Sequence, residues 1–446
     1  MLIGQVSDLA RELDKRTATA SLIRPYDDGG QAIPEAVINA NLTTAYRLLM
    51  GMSDTPWGSL IVDSVLDRLE VSGIRTGNDM LDETLWGVWQ ANRMDSESKL
   101  AHRSALLDGR AHALVWADGD QPMVSLDDAT QMIVSYVEGS RHRRTAALRR
   151  WVDDRDTTYA TLYRPEGIYK FEGSKSNGDP AWKRREVEDE QWPLPNPLGV
   201  VPVVELAVNR KLYPGQFPFA RGEYAHVTGL LDRINLLTFV GLIVALWMGF
   251  PLRGLLGAQI LRDDDGAPIA PFDAAADTVF QIEDPEAKLA EFKAADRDNL
   301  AVWPELDQLA TITKTPRHYF PMQQGMSNIA ADTIRANEGG LHAKVTSHKS
   351  TLGESWEDVL RISGQVLDVE VPQTAELVWK DHESRSLAER ADAASKLKDV
   401  LPAAAIMEKV LNATPSEIAR WESQGAIGQL LAAAAQPAPA VEPAAV

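Results

Sequence analysis

Residues 234–250 read Ile234-Asn235-Leu236-Leu237-Thr238-Phe239-Val240-Gly241-Leu242-Ile243-Val244-Ala245-Leu246-Trp247-Met248-Gly249-Phe250, apolar except at Asn235 and Thr238, with Arg233 before the run and Arg253 after it. Pro251 ends it, since proline lacks the N–H that would continue a helix and clashes with the preceding turn. The run has 17 residues, at the short limit for crossing a bilayer. A helix apolar all round is buried in protein or in lipid. Two architectures are therefore open: a helix enclosed by protein, or a single-pass membrane anchor at residues 234–250. The stretch also divides the chain, because Arg221 to Phe250 reads as one long helix with a firm stop.

Upstream, residues 1 to about 110 read as helices with short turns. Asp54-Thr55-Pro56 supplies a cap and a proline for a helix start. Leu60, Ile61, Val65, Leu66 and Leu69 then share one face, and Leu81, Leu85, Val88 and Trp89 keep that spacing. From 110 to 205 the period shifts towards two. Ala113–Trp116, Met132–Val137, Tyr159–Tyr163 and Ile168–Phe171 are short β-type runs. Asp118-Gly119, Glu138-Gly139, Asp153-Asp154 and Pro165-Glu166-Gly167 separate them as turns, which predicts an antiparallel meander. Val200–Leu206 reads as a buried strand.

Downstream, residues 252–292 are β-like, turn-rich and acidic, with 11 acidic and 4 basic residues from Arg262 to Asp298. A shorter helix ends near Thr313 and either begins or kinks at Pro304. Lys314–Gly325 has loop composition. Ser327-Asn328 can cap a long helix in which Ile334, Leu341, Val345, Leu352, Trp356 and Val359 repeat at helical intervals. From 328 to 367 it spans roughly 60 Å at about 1.5 Å per residue, and Gly339-Gly340 is the place for a bend. Short helices over Leu387–Leu411 and Pro415–Trp421 follow, then a Pro/Ala-rich tail read as disordered.

The 446 residues carry 45 Lys plus Arg against 64 Asp plus Glu, a net charge of −19, and no cysteine. The charge argues against a protein whose main act is gripping phosphates. Without cysteine there is no disulfide framework and no Cys-ligated zinc, which fits assembly inside a cell. The N-terminus, with Asp8, Arg11, Glu12, Asp14 and Lys15, lacks the apolar core of a signal peptide. Gly173-Ser174-Lys175-Ser176 lacks the glycine pattern of a phosphate loop. Asp263-Asp264-Asp265-Gly266 lacks the alternating ligands of a calcium loop. Arg141, Arg143, Arg144, Arg149 and Arg150 form a basic cluster, either a nucleic-acid contact or the charged face of a hairpin. No constellation reads as an active site, and no cofactor or metal is expected.

The order of these elements resembles the portal proteins of long-tailed bacteriophages. Pro197-Leu198-Gly199-Val200-Val201-Pro202-Val203-Val204 is similar to that family's strand before the stem, and Arg221-Gly222-Glu223 with Leu231-Asp232-Arg233-Ile234-Asn235 to its first stem helix. Thr315-Pro316 is similar to the proline before its tunnel loop. Ser327–Lys344 with Leu352–Val359 looks like its long helix, and Trp379-Lys380-Asp381 with Ser386–Leu397 and Pro415–Ile418 like its crown. The resemblance covers roughly residues 35 to 425 and lies in the joint order rather than in any single motif.

That resemblance implies an α+β chain: a wing of helices plus antiparallel β meander (1–220), a first stem helix (221–250), a small α/β clip (251–292), a second stem helix (293–313), a tunnel loop (314–327), a long kinked wing helix (328–372), a helical crown (373–435) and a disordered tail (436–446). It implies a non-enzymatic ring of twelve subunits at one capsid vertex, through which double-stranded DNA is packaged and ejected without sequence preference. The implied partners are the terminase large subunit, head-completion or adaptor proteins, and major capsid and scaffolding proteins. The implied location is the virion, after assembly in the host cytoplasm. Lys314, Arg317, His318, Gln323 and Gln324 fall on the tunnel loop, with plain solvation as the competing reading. Leu237, Leu246, Trp247, Leu341, Leu352 and Trp356 fall at subunit packing positions. The stem run is more apolar than a channel-lining helix requires, so few of its positions would face the channel.

Overall fold

A computed structural model describes residues 2–31, 44–174, 181–188, 190–212, 219–249, 252–256, 288–292, 302–320, 331–381, 387–411, 413, 417–418 and 420–421. The chain opens with α1 (Leu2–Ile23), whose Val6, Leu9, Ala10 and Leu13 recur on one face and are buried. α2 (Pro25–Asp28) and α3 (Thr44–Met52) lead to α4 (Trp57–Leu66), which buries Ile61, Val62 and Val65. Pro56 itself holds the cap position there, with no side-chain cap, so neither Asp54 nor Thr55 serves as expected. β1 (Val71–Arg75) follows, then α5 (Asp79–Ala91), capped by the Asn78 side chain on the N–H groups of Met80 and Leu81, and α6 (Met94–Asp108).

β1 corrects the all-helical reading of this region. Its partner is β12 (Glu376–Trp379), paired antiparallel from Val71↔Trp379 to Arg75↔Glu376. A five-residue strand whose partner lies some 300 residues away shows no local alternation or turn.

The β-rich part divides into two sheets. β2 (Arg110–Asp118), β3 (Gln121–Asp128) and β9 (Val203–Ala207) form an antiparallel sheet in the order β3-β2-β9. β4 (Met132–Tyr136), β5 (Arg144–Val152), β6 (Thr158–Arg164), β7 (Gly167–Ser174) and β8 (Ala181–Arg184) form an antiparallel meander, each strand beside the next. It contains three of the four expected runs, while the fourth, Ala113–Trp116, lies in the other sheet, and β5 and β8 were not expected as strands. The apolar face of α1 closes one side of that meander, against Ile133, Leu148, Leu162 and Phe171. Each such side chain contributes roughly 1.5–3 kcal/mol on burial.

α7 spans Thr228–Gly249, not Arg221–Phe250. Residues 221–227 are held out of helical geometry by their packing. The Glu223 N–H donates to the Leu106 carbonyl at 2.8 Å, and a Cβ on Gly222 would sit 1.8 Å from the Leu107 oxygen. β10 (Leu252–Leu256) and β11 (Lys288–Phe292) pair antiparallel beyond α7; the rest of 251–292 lies outside the described residues. α8 (Trp303–Thr313) has Pro304 in its first turn, so the helix begins there. α9 (Ala331–Val366) runs through Gly339 and Gly340 as continuous α-helix. β12, α10 (Leu387–Leu397) and α11 (Ala403–Lys409) complete the described chain.

The main core gathers α4, α6, β2, β9 and α9 around Trp356. The Trp356 ring meets Trp89 edge-on at 5.2 Å, and its indole N–H donates to His102 Nε2 at 2.8 Å.

Candidate functional site

α7 and α8 form a helix pair with a charged tie. The Arg233 guanidinium binds the Glu305 carboxylate and donates to Gln308 Oε1 at 2.9 Å. Leu231, Ile234, Phe239 and Val244 of α7 turn inward and are buried, as is Asn235. Its Nδ2 lies 3.5 Å from Asp54 Oδ1. Thr228–Leu246 is long and apolar enough to cross a membrane, yet only 28% of that window is buried within the subunit. Leu237 is half-buried, while Leu246 and Met248 on α7 and Ile312 on α8 are exposed.

The segment leaving α8 carries three of the five expected loop residues. Lys314 ends the helix in the left-handed region at φ 56°, its N–H on the Ala310 carbonyl and its side chain exposed. Arg317 is exposed, its Nε 3.7 Å from Asp307. His318 turns inward, with Nε2 3.6 Å from Glu338 Oε1. Tyr319 accepts from Arg68 at 2.6 Å and donates to Glu338 at 3.3 Å. Phe320 is buried, its ring 5.5 Å from that of Trp57. Glu338 on α9 thus gathers Arg68, His318, Tyr319 and His342 around one carboxylate. Gln323 and Gln324 lie outside the described residues.

A second cluster sits beneath the helix pair. Glu223 is buried, its Oε1 accepting from Asn209 at 2.7 Å and from His348 at 2.8 Å, and its Oε2 from Lys344 at 2.8 Å. Burial pushes its carboxyl up; His348 and Lys344 outweigh that and hold it well below the usual range. Spacing along the sequence carried no signal for this cluster, because its members come from segments more than a hundred residues apart.

Three expected subunit-packing residues belong elsewhere. Leu341, Leu352 and Trp356 are at most 1% exposed within the subunit, so they have no surface left for a neighbour and hold the chain's own core. The side chain of Trp247 is outside the described set. Three of the five arginines of the basic cluster, those on β5, are taken up internally: Arg144 pairs with Asp358, Arg149 with Asp127 and Arg150 with Asp14. Those pairings favour the hairpin-face reading over a nucleic-acid contact. Gly173 and Ser174 simply end β7, while Lys175, Ser176 and 263–266 lie outside the described residues. No group of three or more His, Asp or Glu among the described residues is placed to hold a metal ion.

The family model "Phage portal protein, SPP1 Gp6-like" matches residues 54–240, from the turn before α4 into α7. The portal protein of Mycobacterium phage L5 is 29% identical over 421 residues, covering 89% of this chain and 80% of the relative. That of Mycobacterium phage D29 is 29% identical over 389 residues, covering 82% and 76%. The chain is similar to phage portal proteins over most of its length. Among solved structures, a chain from the neck of a native gene transfer agent particle, obtained with C12 symmetry, is 11% identical with a TM-score of 0.47, over 88% of this chain and 92% of that one. A chain from the virion of the same kind of particle is 11% identical with a TM-score of 0.44, over 86% and 89%.

Proposed function

We propose that this chain is a portal protein, that it closes into a ring of twelve subunits at one capsid vertex, and that the ring is the channel for genome packaging and ejection. One observation carries the ring: α7 is apolar over Thr228–Leu246, yet only 28% of that window is buried within the subunit, and Leu246 and Met248 near its end stand exposed, so neighbouring copies are their natural cover. In a closed ring the same patch meets a different patch on the next subunit, and every copy is satisfied. Leu237 and Leu246 are the α7 residues assigned to that seam. On this reading 1–220 is the wing, α7 and α8 the stem, 251–292 the clip, α9 the long wing helix and 373–435 the crown.

The role is structural and conductive rather than catalytic. Lys314 and Arg317, both exposed, are the cations assigned to passing DNA, while His318 supports their segment from behind. Twelve copies of −19 make −228 formal charges, a field that repels phosphate and lets a duplex slide. The reading places the chain in the virion after assembly in the host cytoplasm. Terminase, head-completion, scaffolding and major capsid proteins are its partners.

Expression without detergent tests this. Light scattering should give about 588 kDa for twelve copies of a 49.0 kDa chain, and negative-stain images should show rings. Monomers soluble only in detergent would restore the membrane-anchor alternative.

A further inference from the structure

One ammonium group joins three elements beneath the helix pair. Lys344 on α9 donates to Glu223 Oε2 at 2.8 Å, on the segment leading into α7, and to the carbonyl of Thr313 at 2.6 Å, the last residue of α8. Both acceptors are firmly seated. Glu223 is held through its own N–H on Leu106 and by the side chains of Asn209 and His348. Thr313 is buried, its hydroxyl donating to Leu309 at 2.7 Å and lying 2.9 Å from the Thr315 hydroxyl.

We infer that Lys344 is a coupling residue: it ties the start of α7 and the end of α8 to one point on α9, so that displacing either helix displaces the other and the segment Lys314–Phe320. An ammonium has three donors and no acceptor, and two of its donors serve acceptors on separate elements here. Charge-assisted bonds in a buried setting are short and strong. Thr313 offers one of the last-turn carbonyls that an α-helix leaves without an internal donor, so its partner must come from outside α8. The Glu338 contacts to His318 and Tyr319 give α9 a second hold on the same segment. The contacts stand without the conduit reading; the use of the coupling, reporting stem movement to the DNA-facing segment, rests on it.

Hydrogen–deuterium exchange on the full chain tests the coupling, since shared physical contact must be measured rather than assumed. Lys344→Met keeps the length and apolar stem but removes both bonds. It should speed exchange about tenfold at amides 224–230 and at 311–318 together, with β4–β8 unchanged. Glu223→Gln leaves the bond to Thr313 and should loosen 224–230 alone. If Lys344→Met does not fold, Lys344→Gln, polar but too short to reach both acceptors, carries the same expectation. Loosening at one end only in the Lys344 variants, loosening spread evenly over the chain, or no change overturns the coupling. Ring mass reads the conduit proposal separately, because a wild-type monomer would sink that reading and leave the exchange result intact.

Discussion

His102 shows how a buried polar side chain is tolerated in the core. It is fully buried and accepts the Trp356 indole N–H at 2.8 Å, which requires a neutral ring with a free lone pair on Nε2. Burial pushes its pKa down to about 4. Unfolded, it takes up a proton near pH 6.5. Between those values the unfolded chain binds a proton the folded chain refuses, so stability falls as pH drops from 6.5 towards 4 and levels off below. His102→Gln retains an acceptor but does not titrate. Denaturant melts should show that this variant avoids roughly 2–3 kcal/mol of the loss that wild type suffers between about pH 7 and pH 4.5. Equal losses in both proteins would mean that His102 is charged in the fold. Glu205 illustrates the opposite case. It stays ionised although fully buried: burial pushes its carboxyl up, but Arg110, His112 and Arg16 outweigh that. The Arg16 contact, at 3.9 Å, ties α1 to β9.

At the scale of elements, α7 and the segment after α8 carry the testable content. Leu246 is 39% and Met248 57% exposed in the subunit, so charging them costs the isolated fold little. In an intersubunit seam the same carboxylates would be buried without partners, at several kcal/mol each. Leu246→Glu with Met248→Glu should leave circular dichroism unchanged and give monomers by light scattering. Intact rings would remove this face from the seam. Lys314→Ala with Arg317→Ala should spare ring assembly and lower packaged DNA, and unchanged packaging would overturn the assignment of both cations. Elements whose partners are neighbours in the chain were partly legible beforehand. In the meander β4–β8, strands β4, β6 and β7 read as period-two runs bounded by visible turns, whereas the arginine-rich β5 and the short β8 did not. β1 was not legible, because its partner is β12. Nor was the start of α7, because Gly222 and Glu223 are held by the end of α6. The spacing of Leu341, Leu352 and Trp356 marked an apolar face of α9 correctly, yet periodicity has no term for whether that face meets its own chain or another.

At the scale of the whole molecule, charge is the governing quantity. A ring carrying −228 formal charges should not retain a DNA duplex at about 150 mM salt, where the screening length is about 8 Å and only close contacts count. A mobility-shift assay with the isolated ring checks this. Tight retention of duplex would show that the channel grips rather than passes. A second reading of the same charge concerns assembly. In the proposed ring like-charged subunits repel, so an apolar seam would have to outweigh that repulsion, and ring stability should rise with salt.

The sequence by itself determined what is local or additive: the net charge, the lack of cysteine, period-two runs of the meander, the apolar run that ends at Pro251, and a resemblance to portal proteins carried by the order of its segments. Only the tertiary structure decided which polar groups meet. Lys344 finds Glu223 and Thr313, His318 and Tyr319 find Glu338, and Trp356 finds His102, each across a chain separation that leaves no periodic trace. The physical reason is that a hydrogen bond requires about 3 Å and a set angle. Those conditions are created by packing, not by spacing along the chain.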